Sequence, residues 1–417
     1  MDLVVIGGGP AGLAAAIEAK KQGIEKVVII ERDNTLGGIL QQCIHDGFGL
    51  HRFGKRLSGC EYADNFIVEV ENETIEVAYE TIVLEITKDK VVYAMNSNEG
   101  IVEYYAKTII LAMGCRERTR SQAFIWGTRP SGVLTAGTVQ RYINIEGYLP
   151  GKKAVILGSG DIGLIMARRM TLEGISVEGV YELMSSPGGL TRNIAQCLVD
   201  YDIPLHLSTT VIRIHGQHKL EGVTVAEVDE KRQVIEGTKR YIECDLLVLA
   251  VGLIPENELT RQLDIEIDPK TNGPIVDENF MTSMAGVFAA GNVVTVFDLV
   301  DYVSLTGEMA GRGAAKYIQG NLELEQDYTE VTPGENVSFV VPQRIRKDNL
   351  ESKLPLYFRV RQKQENVKVI AKVAETICYQ KKHRVVLPPE MLVEELDSQS
   401  VKDTNQNIVV NVMGGTL

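Results

Sequence analysis

Two sets of three glycines, each trailed by a glutamate, are the residues of this 417-residue chain best suited to hold a dinucleotide. Gly7, Gly9 and Gly12 follow the apolar run Leu3-Val4-Val5-Ile6, and Glu31 comes 19 positions after the third glycine. Gly158, Gly160 and Gly163 follow Ala154-Val155-Ile156-Leu157, and Glu182 again comes 19 positions on. In such a set the first glycine permits the tight turn out of a strand. The second lets backbone approach a pyrophosphate, and the third lets the helix pack on the sheet. The helix N-terminus then offers free N–H groups and partial positive charge to the phosphates. Pro10 and Ala11 lie between the glycines of the first set, Asp161 and Ile162 between those of the second, and both pairs belong to the candidate sites. Each glutamate ends the next apolar run and can accept hydrogen bonds from ribose hydroxyls. Glu182 would repel a 2′-phosphate, which points to NAD(H) over NADP(H). One such set is weak evidence; two predict two dinucleotide sites and electrons passing between them.

The elements that must position these residues read as two α/β units. Val27 to Ile30 leads into Glu31 and Arg32, and Gly37-Gly38 is a flexible point where backbone could lie against the first nucleotide. A polar and aromatic stretch follows, Cys43 to Phe53, in which Cys43 is the one side-chain candidate for redox chemistry. Apolar spacing predicts a helix over Glu61 to Asn72, and three short runs between residues 81 and 106 predict a β-meander. The phrase Thr108 to Gly114, with Ala112 and Gly114, closes the first unit. Leu246 to Gly252 closes the second in the same form, and Gly286 to Asn292 repeats it a third time. The chain therefore contains a diverged internal duplication. A helical pattern spans Tyr302 to Gln319, and the alternation beyond Thr332 predicts a small β-rich domain.

Composition fits this reading. Apolar residues make up 44% and charged residues 24%, near the globular average. No apolar run approaches the ~20 residues that span a bilayer. The six cysteines are scattered, and no C-x-x-C or C-x-x-x-x-C pair occurs, which argues against zinc, an iron–sulfur cluster or a sequence-local redox disulfide. With no signal-type segment before Leu3, a reducing cytoplasm is the expected compartment. A net charge of −13 disfavours nucleic acid as a partner. That charge is uneven: residues 331–417 carry a net +3 and the remainder −16, so the C-terminal part is a candidate docking surface or a structural cap.

The order of motifs resembles the two-dinucleotide-binding-domain flavoproteins, the superfamily of thioredoxin reductase and glutathione reductase. The resemblance covers roughly Met1 to Gln319. It implies FAD on the first fingerprint and a nicotinamide dinucleotide on the second, and gives Gly291-Asn292 the role of holding the FAD ribityl chain. It implies an α/β fold of two Rossmann-like domains, the second inserted in the first, plus the β-rich C-terminal domain. The expected boundaries are 1–117 with 253–330 for FAD, 118–252 for NAD(H), and 331–417 for the last domain. The helix near Tyr302 would point its positive end at the flavin pyrimidine. Cys43 follows Glu31 by 12 positions, roughly where NADH oxidases and peroxidases of the superfamily place a redox cysteine.

Departures from the superfamily refine the expectation. The stretch Gly132 to Gly137 lacks the cysteines of thioredoxin reductases, and dithiol exchange needs two thiols. That stretch instead resembles subunits of heteromeric flavin dehydrogenases. Residues 37–45 and 340–345 resemble bacterial FAD-dependent oxidoreductases of glycerol catabolism. This implies a glycerol-3-phosphate dehydrogenase-like flavoprotein and a small cysteine-rich redox protein as partners. The expected function is hydride exchange between NAD(H) and FAD, with electrons passed to or from a partner subunit, plausibly in a glycerol-3-phosphate-oxidising complex. The alternatives are a free-standing NADH oxidase or peroxidase using Cys43, and a non-catalytic scaffold that only holds nucleotide.

Overall fold

A computed structural model of the chain describes residues 1–325, 327–402 and 406–414. Positions 403–405 and 415–417 of the expected C-terminal domain, and position 326 before it, lie outside the described residues. The chain divides into two compact units, residues 1–115 with 255–417, and residues 116–254.

The first unit is built on a five-stranded parallel sheet. Its order is Val287–Ala289, Thr108–Leu111, Leu3–Ile6, Val27–Ile30, Glu76–Ala78. The central strands are wholly buried and apolar at every position but Thr108, as a parallel sheet covered on both faces demands. Helix Pro10–Lys21 packs along the long helix Val300–Ile318 over small residues. A Cβ on Gly307 would stand 2.2 Å from the Ala11 carbonyl oxygen, and one on Gly311 2.4 Å from that of Ala15. Backbone therefore meets backbone, and the two helices run parallel. The meander falls where the apolar runs placed it, as antiparallel strands Thr81–Ile86, Val91–Asn96 and Gly100–Tyr105. The predicted helix begins two residues earlier than expected, at Gly59, because Ser58 and Glu61 form a capping box.

The second unit repeats the plan. Its parallel sheet runs Val133–Thr135, Leu246–Leu249, Lys153–Leu157, Ser176–Tyr181, Leu205–His206. It too carries an antiparallel insert before its closing strand, Thr209–His215, Gly222–Glu227 and Arg240–Glu243. The polar turns of that segment hid the second meander from sequence reading.

The C-terminal segment is β-rich, with long antiparallel strands Lys353–Val360, Gln364–Val373 and Thr376–Val386. It has its own apolar core, including Leu356, Phe358 and Val410. It is also welded to the first unit. Val341, Tyr357 and Met391 belong to that unit's main core, and the Tyr357 ring meets Phe297 edge-on at 5.4 Å. Buried Arg346 pairs with Asp277 at 3.3 Å, while its backbone N–H donates to Glu278 at 2.7 Å. The packing makes it part of the first unit's fold, where the sequence suggested an appendage.

Candidate functional sites

The two fingerprints are superimposable in their bonding, at a constant offset of 151 positions. Gly7 lies at φ 104° and Gly158 at φ 101°, in the left-handed region that favours glycine. A Cβ on Gly7 would stand 2.5 Å from the Ala112 carbonyl oxygen, and one on Gly158 2.1 Å from that of Ala250. The third glycines are just as constrained: a Cβ on Gly12 would lie 1.9 Å from the Gly7 carbonyl oxygen, and one on Gly163 2.6 Å from that of Gly158. Ala112 is locked to the sheet by its N–H, which donates to Ile6 at 2.9 Å.

The middle glycines differ in kind. Gly9 (φ −77°) and Gly160 (φ −64°) adopt backbone that any residue allows, and a Cβ at either would meet no protein atom within 4 Å. Nothing in the fold itself asks for glycine there. That open space is room in which a ligand could approach the backbone. The helices behind them are open in the same sense. Pro10–Lys21 and Asp161–Leu172 have no side-chain N-cap bond, whereas Gly59–Asn72 closes its N-terminus with Ser58 and Glu61. An uncapped N-terminus leaves N–H groups and positive charge for an anion. Ala11 is buried, while Pro10, Asp161 and Ile162 are half-buried. Asp161 is committed structurally: its Oδ1 accepts from Leu190 N–H at 2.8 Å and from the Asn193 side chain at 2.7 Å.

The two glutamates are held alike. Glu31 accepts from Gly8 N–H at 2.7 Å and from Asp33 N–H at 2.9 Å. Glu182 accepts from Ser159 N–H and Met184 N–H, each at 2.9 Å, and from the Ser159 hydroxyl at 2.6 Å. Both carboxylates are buried, and neither has an ion-pair partner among the described residues. Arg32, beside Glu31, is exposed. Each carboxylate keeps acceptor capacity for a ribose hydroxyl.

Sequence reading missed Gly188 and Gly189, which stand 151 positions after Gly37 and Gly38. Gly37 N–H donates to the Gly8 carbonyl at 2.8 Å, and Gly188 N–H to the Ser159 hydroxyl at 2.8 Å. Gly38 (φ 54°) would bring a Cβ to 3.2 Å from Gly9. The shared offset was the signal that could have found the second pair. It also missed that Gly132-Val133-Leu134-Thr135-Ala136-Gly137 matches Gly286-Val287-Phe288-Ala289-Ala290-Gly291, each supplying the outer strand of its sheet.

The remaining candidates are placed as follows. Gly291 (φ 70°) donates its N–H to the Thr306 hydroxyl at 3.0 Å. Asn292 Oδ1 accepts from Phe297 N–H at 3.0 Å, so one lone pair of that oxygen is already used. Gly114 (φ 71°) and Gly252 (φ 99°) end the closing strands with left-handed turns. Cys43 is buried, and its Sγ donates to the Ile39 carbonyl at 3.3 Å. Cys60 donates to the Gln41 carbonyl at 3.2 Å, and burial pushes its thiol up. Both thiols thus tie down the short turn Gly38–Gln42.

Comparison with known proteins agrees with this geometry. The chain is 26% identical over 342 residues to the hydrogen cyanide synthase subunit HcnB of Pseudomonas protegens, spanning 77% of this chain and 69% of that protein. It is 25% identical over 322 residues to the thioredoxin reductase of Treponema pallidum, spanning 76% and 97%. The crystal structure of T. acidophilum thioredoxin reductase matches with a TM-score of 0.61 at 23% identity, over 76% of this chain and 97% of that one, a likeness of fold. The model of the pyridine nucleotide-disulphide oxidoreductase family matches residues 1–310. The chain therefore belongs to the pyridine nucleotide-disulphide oxidoreductase family, oxidoreductases that use FAD and a nicotinamide dinucleotide.

Proposed function

We propose that this chain holds FAD on Gly7 to Gly12 and NADH on Gly158 to Gly163, and passes the electrons to a separate partner subunit. The observation that carries this reading is the pair of middle glycines, Gly9 and Gly160, which face no protein atom within 4 Å beside an uncapped helix. When bound, the two cofactors supply hydride transfer between nicotinamide C4 and flavin N5. The chain's own work is to bind and orient. Gly8 and Asp33 N–H groups fix Glu31, and Ser159 and Met184 fix Glu182, so each carboxylate meets its ribose without reorganising. Glu182 favours NADH because a 2′-phosphate would meet an unpaired buried carboxylate. The domain assignment follows: 1–117 with 253–330 for FAD and 118–252 for NAD(H).

The partner reading rests on two supports. HcnB is named as a subunit of a synthase, and the Cys43 thiol is buried and hydrogen-bonded, which favours an outside acceptor over a peroxidatic cysteine. The strand Thr376–Val386 forms the edge of its sheet and exposes Lys382 and Arg384, a basic rim fitted to an acidic partner, while Lys381 pairs with Glu394 at 2.9 Å. A glycerol-3-phosphate dehydrogenase-like flavoprotein in the cytoplasm is the partner that the sequence resemblance suggests. The test is an anaerobic titration of the purified flavoprotein. NADH should bleach the flavin stoichiometrically, and oxygen or peroxide should then sustain only slow turnover. Failure of NADH to bleach bound flavin would favour a scaffold; rapid peroxide turnover lost in Cys43→Ser would favour a peroxidase.

A further inference from the structure

The N-terminal end of the long helix Val300–Ile318 carries a buried acid that the reading above leaves unused. Asp301 is 8% exposed, and its Oδ1 has no hydrogen-bond partner among the described residues. Its polar neighbours are committed elsewhere. The Tyr62 hydroxyl bonds the Ser304 hydroxyl at 2.9 Å, Arg52 pairs with Glu308, and the Tyr302 ring stacks on His51. An unpartnered buried carboxylate is costly unless something donates to it.

The packing of the two helices shows where that donor would come from. Gly307 sits against Ala11 and Gly311 against Ala15, so the long helix runs parallel to Pro10–Lys21. It begins at Val300, seven residues before Gly307, while the other begins one residue before Ala11. At 1.5 Å per residue it overhangs by about 9 Å, in the direction the first fingerprint's N-terminus points. That is the direction of the dinucleotide beyond its pyrophosphate. Leu299, at the helix start, makes no side-chain cap bond; the Tyr302 N–H turns back to the Leu299 carbonyl at 3.2 Å, which leaves the Val300 and Asp301 N–H groups at the open end.

A surface with helix N–H donors and one carboxylate acceptor is complementary to an edge that alternates acceptor, donor, acceptor. The flavin pyrimidine has that edge: C2=O, N3–H, C4=O. We propose that Asp301 accepts the flavin N3–H, and that its charge holds the flavin's reduction potential down. The inference rests on FAD occupying the first fingerprint. Reduction adds negative charge to the pyrimidine, and a fixed carboxylate beside it opposes that charge while the helix end favours it. Asp301 is thus a positioning and tuning residue.

The experiment uses the full chain with FAD and with FAD methylated at flavin N3. The methylated cofactor should bind the unaltered protein at least tenfold more weakly than FAD, and Asp301→Ala should close that gap. Asp301→Asn should keep FAD, because its amide oxygen still accepts, and should raise the midpoint potential. A tenfold change in the reduction equilibrium is about 30 mV for a two-electron couple. Equal binding of the two flavins by the unaltered protein, or an unmoved potential in Asp301→Asn, overturns the proposal. If instead FAD affinity were indifferent to Gly9→Val, the first-fingerprint assignment itself would fall, which separates the two failures.

Discussion

The two fingerprint units share one bonding frame but close it differently. In the first, the outer strand Val287–Ala289 comes last in the chain; in the second, its counterpart Val133–Thr135 comes first. The turn in front of each carboxylate also differs. Gly8 offers Glu31 only backbone, whereas Ser159 adds a hydroxyl that both donates to Glu182 and accepts from Gly188. The first unit alone takes the C-terminal strands into its core, through Tyr357 and the Arg346–Asp277 pair. Backbone geometry common to both units thus fixes what a dinucleotide needs. Side chains peculiar to each unit set how its carboxylate is held and what else is attached.

The sharpest way to break the comparison is at the attachment. Arg346→Met should destabilise the first unit by about 3 kcal/mol, near the low end for breaking a buried pair, because the stranded carboxylate can take up a proton. Thermal unfolding followed by flavin release should shift, while that followed by NADH binding to the second unit should not. The same site carries a pH signature. Burial first, and Glu278 second, push Asp277 up from the ordinary 3.8, and Arg346 only partly offsets them. An acid raised in the folded state keeps its proton there after the unfolded chain has lost it. Stability of the first unit should therefore fall as pH rises above about 4, until the folded pair ionises. Asp277→Asn should flatten that slope in a denaturant series across pH; an unchanged slope would remove Asp277 as its source.

Next come the middle glycines. Gly9→Val should cost about 100-fold in FAD affinity and leave NADH binding intact, and Gly160→Val should do the reverse, each about 2.7 kcal/mol. Neither should lower the unfolding temperature of the apoprotein by more than the modest cost of valine at a helix N-cap, because the added Cβ has open space around it. A fold defect in either would show that the open space is needed by the protein and not by a ligand. The smallest effect is nucleotide choice. NADH should reduce the flavin at least tenfold more efficiently than NADPH, about 1.4 kcal/mol, and Glu182→Ala should bring the two together. Equal efficiencies in the unaltered protein would remove Glu182 from the ribose.

Much of this was legible in residue order. Glycine spacing exposed both fingerprints because only glycine satisfies those turns and approaches. The central strands were legible because burial on both faces leaves unbroken apolar runs. The second meander was not, since its strands are separated by long polar turns. The capping box at Ser58 was written in the sequence too, but only the bonds show that this helix is closed while the fingerprint helices stay open.

Sequence alone determined that the chain folds as two α/β units of one plan, because each glycine set stands at the same spacing behind an apolar run. Tertiary structure alone decided what the remaining polar groups do. It buried Cys43 against a carbonyl, spent Asp161 on a loop, and drew Arg346 to Asp277 across 69 positions of chain. It also left Oδ1 of Asp301 without a hydrogen-bond partner among the described residues. Those outcomes depend on which distant backbone arrives beside a side chain, and no local spacing encodes that.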